Sequence, residues 1–125
     1  SAVDLVIAQR LVRKVCSRCQ EHYDISDKVL ERLGLTQESK NDFKLVRGKG
    51  CAYCNYTGYR GRTAVYQFFE ITPQVKKLIF EGANMDTLRK EATMQGMRTL
   101  RESAVEKFRQ GVTTIEDVLS VTLKD

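Results

Sequence analysis

Cys16-Ser17-Arg18-Cys19 is answered further along the chain by Cys51-Ala52-Tyr53-Cys54, with residues 20–50 between the pairs. These four are the only cysteines in the sequence. Two C-x2-C pairs are what a tetrahedral metal needs. Two intervening residues make a turn tight enough to aim both sulfurs at one point, and N–H groups inside that turn reach the thiolates. Cys16, Cys19, Cys51 and Cys54 are therefore the expected ligands, and Zn²⁺ the expected metal. Four thiolates fill the shell and leave no place for water, so the site reads as structural rather than catalytic. Two disulfides, a redox dithiol or a rubredoxin-like iron fit the same spacing. The redox reading lacks a thioredoxin-like βαβ context. His22, three residues after Cys19, is a substitute ligand in one reading and a surface residue in the plainer one. Four reduced thiols imply a cytosolic compartment.

The segment from Cys16 to Cys54 is short and holds few apolar side chains. Chains below about 40 residues seldom fold unaided. A structural zinc contributes an apparent ~10–16 kcal/mol, enough to hold such a module. Inside it, Ser26 precedes Asp27-Lys28-Val29-Leu30-Glu31-Arg32-Leu33 and Gly34 follows, which predicts a capped short helix. Residues 36–42 read as a polar loop and Phe43 to Arg47 as a short strand.

Outside the cysteines, Arg62-Thr-Ala-Val-Tyr-Gln-Phe-Phe-Glu-Ile71 is the clearest strand, rich in β-branched and aromatic residues. Its expected partner is 9–15, Gln-Arg-Leu-Val-Arg-Lys-Val. The module then becomes an excursion between two paired strands. Residues 3–8 read as the end of a helix. A helix continuing to residue 15 is the alternative, since Val3, Ile7 and Leu11 also fit helical spacing. Beyond residue 71 the pattern is helical. Thr72-Pro73 opens a helix that Gly82 stops, with Val75, Leu78 and Ile79 as its stripe. Asn84 opens a second, with Met85, Leu88 and Ala92 inward and Gly96 at its end. Thr99 and Glu102 form a capping box for a third, which buries Leu100, Ala104 and Phe108 and stops at Gly111. Thr113 and Glu116 repeat the box for a fourth, with Ile115, Val118 and Leu119 inward. The acids Glu116 and Asp117 suit a helix start through its dipole. Such stripes are core, not a cofactor site, and the fold class is α+β.

The 125 residues carry 21 basic and 16 acidic side chains, a net +5, with 42% hydrophobic residues. That composition is globular. No 18-residue apolar run exists to span a membrane, and the N-terminus lacks a secretory pattern. No G-x-x-x-x-G-K-[ST] loop is present to cradle phosphates, and His22 has no nucleophile beside it. All the excess positive charge falls in residues 1–65. Arg18, Arg47 and Lys49 are candidates to meet an acidic partner. A zinc-ribbon-type nucleic-acid module is the rival reading, with Tyr53, Tyr56 and Tyr59 stacking on bases and Arg60 and Arg62 on phosphates. A charge of +5 is low for such a protein.

Four stretches together resemble the ATPases of type II secretion and type IV pilus assembly. They are Ala8-Gln-Arg-Leu-Val-Arg-Lys-Val-Cys16, Gly50-Cys-Ala-Tyr-Cys-Asn-Tyr-Thr-Gly-Tyr-Arg-Gly-Arg62, Gly96-Met-Arg-Thr-Leu-Arg-Glu102 and Gly111-Val-Thr-Thr-Ile-Glu-Asp-Val-Leu119. The resemblance implies that 1–15 is the tail of a RecA-like ATPase core, helix then strand. It makes 16–60 a tetracysteine zinc module, 61–71 the return strand and 72–125 a C-terminal helical subdomain. It implies a hexameric ATPase on the cytoplasmic side of the inner membrane, coupled to an inner-membrane platform protein. ATP and Mg²⁺ would bind only in parts of that protein absent from this sequence, so no catalytic or nucleotide-binding residue is expected here. By the same resemblance Cys16, Cys19, Cys51 and Cys54 hold zinc. The tetracysteine insertion points to the assembly or secretion branch of the superfamily and away from the retraction ATPases.

Overall fold

A computed structural model describes residues 3–94 and 99–122. Strand β1 (Val3–Val15) pairs antiparallel with β4 (Tyr59–Ile71), in a register that sets Val3 against Ile71, Val12 against Thr63 and Val15 against Tyr59. The expected partnership of 9–15 with the second long strand holds, and the pairing extends further in both directions. Residues 3–8 are therefore strand, not the end of a helix. An apolar run of that length is ambiguous alone, and the cross-strand ladder to residues 68–71 decides it. The register shifts between Val6 and Ala8 and between Arg13 and Val15 mark irregular points in the ribbon.

The cysteine-bearing segment leaves the ribbon after Val15 and returns at Tyr59. It contains a second two-stranded sheet, β2 (Gln20–His22) against β3 (Val46–Gly48), and the helix α1 (Asp27–Arg32). Ser26 caps α1 by accepting from the Val29 N–H, as its sequence requires. Two details differ from expectation. The polar loop holds a 3-10 turn over Ser39–Asp42, and the strand read at Phe43–Arg47 is confined to Val46–Gly48.

Four helices follow: α2 (Pro73–Phe80), α3 (Met85–Met94), α4 (Leu100–Arg109) and α5 (Ile115–Thr122). Thr72 caps α2, and the Asn84 carboxamide accepts from the Thr87 N–H at the start of α3. Thr99 and Glu102 form the expected reciprocal box on α4. Thr99→Ala should cost about 1 kcal/mol, read as a lowered urea midpoint with an unchanged slope. The second box forms differently. Thr114, not Thr113, accepts from an N–H in the first turn of α5, and that N–H belongs to Asp117 rather than Glu116. Met85, expected inward on α3, is exposed. The Ala92 side chain and Gly96 lie outside the described residues. Among the described residues no helix is long and apolar enough to cross a membrane.

One core joins these parts. Val12 and Val65 of the ribbon pack with Leu100, Ala104 and Phe108 of α4 and with Ile115, Val118 and Val121 of α5. The same cluster takes in Ile25, Leu30, Leu33 and Leu45 from the cysteine-bearing segment. The Phe43 ring meets Phe108 at 5.5 Å between centroids. The few apolar residues between the cysteines are thus spent on a shared core. Leu11 and Tyr66, each beside a buried valine, project from the opposite face and stay exposed.

Candidate metal centre

Cys16 directly follows β1, and Cys19 sits just before β2. Cys51 precedes a 3-10 turn over Ala52–Cys54 that carries the fourth cysteine. The chain then passes through Asn55 and Tyr56, both with positive φ (56° and 61°), before entering β4. This left-handed pair curls the backbone under its own turn, so that the N–H of Tyr56 donates to the Cys51 carbonyl at 2.8 Å. Asparagine tolerates that conformation well, whereas tyrosine adopts it at a cost.

The fold brings all four sulfurs together, within 4.8 Å of one another. The separations Cys16–Cys51, Cys19–Cys54 and Cys51–Cys54 are each 3.8 Å. A disulfide would need about 2.05 Å. Sulfurs placed about 2.3 Å from a common centre at tetrahedral angles lie about 3.8 Å apart. The donor set thus matches a tetrahedral thiolate site in both chemistry and spacing. His22 stands outside it: it is exposed in β2, opposite Val46.

Backbone donors favour the thiolate form. The Gly50 N–H donates to the Cys19 Sγ at 3.2 Å, the Cys51 N–H to the Cys54 Sγ at 3.3 Å, and the Gly58 N–H to the same Cys54 Sγ at 3.2 Å. Burial pushes the Cys54 thiol up, but its two N–H donors and the adjacent sulfurs outweigh this and bring it down to about 6. At Cys19 the Gly50 N–H pulls downward, yet burial and the other three sulfurs prevail and push it up to about 12. The two backbone donors aimed at Cys54 thus favour its thiolate, the form in which a cysteine binds a metal.

The basic and aromatic residues that surround the sulfurs are largely engaged. The guanidinium groups of Arg18 and Arg60 lie over the Tyr53 ring, at 3.8 and 4.1 Å from its centroid. Arg60 also donates to the Tyr53 carbonyl at 2.9 Å. Positive charge is thereby held beside a site that four thiolates and a divalent metal would leave at −2. Arg47 pairs with Glu21 at 3.0 Å and covers Tyr23. Tyr59 is covered by Arg13 and bonded through its hydroxyl to Thr114. Of the three tyrosines offered for base stacking only Tyr56, 75% exposed, has an open ring. Arg62 lies opposite Arg13 in the ribbon.

Sequence reasoning missed two features at the root of this centre. Asp117, 6% exposed, accepts from the Arg13 backbone N–H at 2.6 Å and from its guanidinium at 2.6 and 3.1 Å. Gly48 and Gly58 press backbone on backbone: a Cβ on Gly58 would lie 2.6 Å from the Gly48 carbonyl oxygen, and one on Gly48 would overlap Gly58 outright. The Thr114-x-x-Asp117 spacing was the available signal for a cap. Nothing local pointed to the distant partner.

Residues 1–120 match the model of the family described as Type II/IV secretion system protein. The type IV pilus assembly ATPase PilB of Thermus thermophilus is 36% identical over 119 residues, covering 95% of this chain and 13% of that protein. PilB of Pseudomonas aeruginosa is 35% identical over 122 residues, covering 98% and 21%. The type II secretion system ATPase E of Vibrio cholerae is 35% identical over 117 residues, covering 94% and 23%. The chain spans about an eighth to a quarter of the length of such relatives.

Proposed function

Because the chain belongs to the type II/IV secretion system protein family, we propose that it is the noncatalytic C-terminal part of an ATPase that powers type II secretion or type IV pilus assembly. Cys16, Cys19, Cys51 and Cys54 hold a structural Zn²⁺ in this reading. The single observation that carries it is the 3.8 Å spacing of the sulfurs on a two-pair scaffold. When bound, the metal ties the turn at 16–19 to the turn at 51–54 and closes the excursion between β1 and β4.

On this reading residues 16–60 are a module inserted into the tail of the motor core, with 1–15 and 61–71 as core strands and 72–125 as a helical subdomain. ATP and Mg²⁺ are handled by the remainder of the parent protein. The parent works as a hexamer at the cytoplasmic face of the inner membrane. The module docks on the membrane platform protein and moves with the motor because both its ends are strands of one ribbon.

The docking role is tested with the full-length parent carrying Cys51→Ser and Cys54→Ser, in a pull-down against the platform protein. We expect co-purification to be lost while ATP hydrolysis by the motor persists. Platform binding at the wild-type level would remove docking from the reading. One zinc per chain by elemental analysis, with four thiols appearing on chelation, tests the metal assignment separately.

A further inference from the structure

We infer that docking of the α4–α5 hairpin and metal binding at the cysteines are thermodynamically coupled, with Asp117 and Arg13 as positioning residues for the tetracysteine site. This goes beyond an insert carried on two strands. It rests on the zinc reading above, and the experiment below separates the two.

Among the described residues the buried polar side chains are Ser103, Thr113, Thr114 and Asp117. All four lie on α4, α5 or the turn between them, and each bonds to the β1–β4 ribbon. Ser103 Oγ accepts from the Tyr66 N–H at 3.2 Å. Thr113 Oγ1 donates to the Arg13 carbonyl at 2.7 Å. Thr114 Oγ1 meets the Tyr59 hydroxyl at 2.8 Å. Asp117 takes the Arg13 backbone N–H and guanidinium together. Buried polar groups are costly unless paired, so these side chains favour one seating of the hairpin.

Three of the four converge on the two chain ends that enter the site. Thr113 and Asp117 hold Arg13 from its carbonyl and its N–H. Two residues on, the Val15 N–H donates to the Val112 carbonyl at 2.8 Å. The next residue is Cys16, whose own N–H donates to the Gly58 carbonyl at 2.9 Å. Gly58 in turn donates its N–H to Cys54 Sγ and is followed by Tyr59, the residue that Thr114 holds. The Arg13 guanidinium lies 3.8 Å from the Tyr59 ring centroid, so the Asp117–Arg13 pair, the latch of the hairpin, also links the two strands. The hairpin thus grips one residue chain leading to Cys16 and another leading from Cys54. A second contact lies on the module body, where the Lys44 N–H donates to the Arg109 carbonyl at 2.9 Å.

A metal that fixes Cys16 against Cys54 sets the spacing of the strand ends the hairpin holds, and a seated hairpin presets those ends for the metal. Coupling of binding equilibria is reciprocal: each event strengthens the other by the same factor, about tenfold for a contact set of this size. The probe is Zn²⁺ alone, titrated into the metal-free 125-residue chain against a chromogenic chelator. Wild type, Asp117→Asn, Arg13→Lys and Val75→Ala are compared. Asn keeps the shape and removes the charge. Lys keeps the charge and removes the two-nitrogen fork, and is the milder variant should Asp117→Asn fold poorly. Val75 is fully buried in α2, outside the cluster that holds Val12 and Phe108, and reports a loss of stability alone.

We expect zinc affinity to fall about tenfold in Asp117→Asn, less in Arg13→Lys, and to change less than twofold in Val75→Ala. Hydrogen exchange on wild type should show α5 amides opening about tenfold more readily once zinc is removed. Equal zinc affinity in wild type and the latch variants would overturn the coupling while leaving the zinc site intact. An equal fall in Val75→Ala would also overturn it, since general destabilisation would then explain the effect. A wild-type chain that takes up no zinc would overturn both the coupling and the metal reading.

Discussion

On the proposed zinc reading, chelating the metal from the chain will lower its melting temperature by about 10–15 °C without unfolding it completely. The size follows from linkage: a metal present at 100 to 1,000 times its dissociation constant stabilises the folded state by about 3–4 kcal/mol. In a domain of this size each kcal/mol shifts the midpoint by a few degrees. The survival of a folded state follows from the core. Ile25, Leu30, Leu33 and Leu45 pack with Phe108 and Val118 through contacts that involve no sulfur. Exchange protection should disappear at the Gly50, Cys51 and Gly58 amides, whose acceptors are cysteine sulfurs. It should persist in α1, while α5 loosens by the coupling factor alone. Superimposable melts with and without chelator would rule out a stabilising metal, and complete loss of α1 protection would rule out a core that holds without it.

That outcome differs from what the sequence led us to expect, and the difference is physical. Read alone, the segment between the cysteine pairs is too short and too polar to fold without metal. The reading undervalued four aliphatic residues because their burial depends on helices that begin more than fifty residues later. Local signals fared well wherever the physics is local. The C-x2-C spacing, the Ser26, Thr72 and Thr99 caps, and the stops at Gly34, Gly82 and Gly111 are short-range devices, and each helix ends beside its glycine.

Failures cluster where a distant partner decides. Residues 3–8 fit a helix until β4 supplies a ladder. The sequence reading sets the α5 cap at Thr113, one residue before the threonine that makes it. The Arg13 carbonyl claims Thr113, which leaves Thr114 to cap the helix. Asp117 reads as an acid that suits a helix start through its dipole, and the same remote strand turns it into a buried ion-pair partner. The convergence of the four cysteines was thus legible from spacing, while the contacts that position them were not.

Among the described glycines, Gly48→Ala should be the most damaging substitution, because its Cβ would meet backbone at the shortest distance. β3 ends at Gly48, where its backbone lies directly on that of Gly58 at the root of β4. The obstacle is a peptide carbonyl, which cannot rotate away as a flexible side chain would. The added Cβ must therefore drive β3 and the β4 root apart. Gly58 serves two ligands, accepting from the Cys16 N–H and donating to Cys54 Sγ. Separation at this point disturbs one cysteine from each pair, and a tetrahedral site tolerates little displacement of its ligands. We expect a loss of more than about 3 kcal/mol in stability, within the range of overpacked and strained sites, and zinc affinity reduced about 100-fold. Gly34→Ala is the matched control. A Cβ there meets nothing within 4 Å, and the positive φ of 73° charges only the left-handed cost of about 1–2 kcal/mol. Its zinc affinity should equal that of wild type. If Gly48→Ala bound zinc as tightly as Gly34→Ala, the Gly48–Gly58 contact would be incidental to the centre, and the cysteine turns would hold their geometry without it.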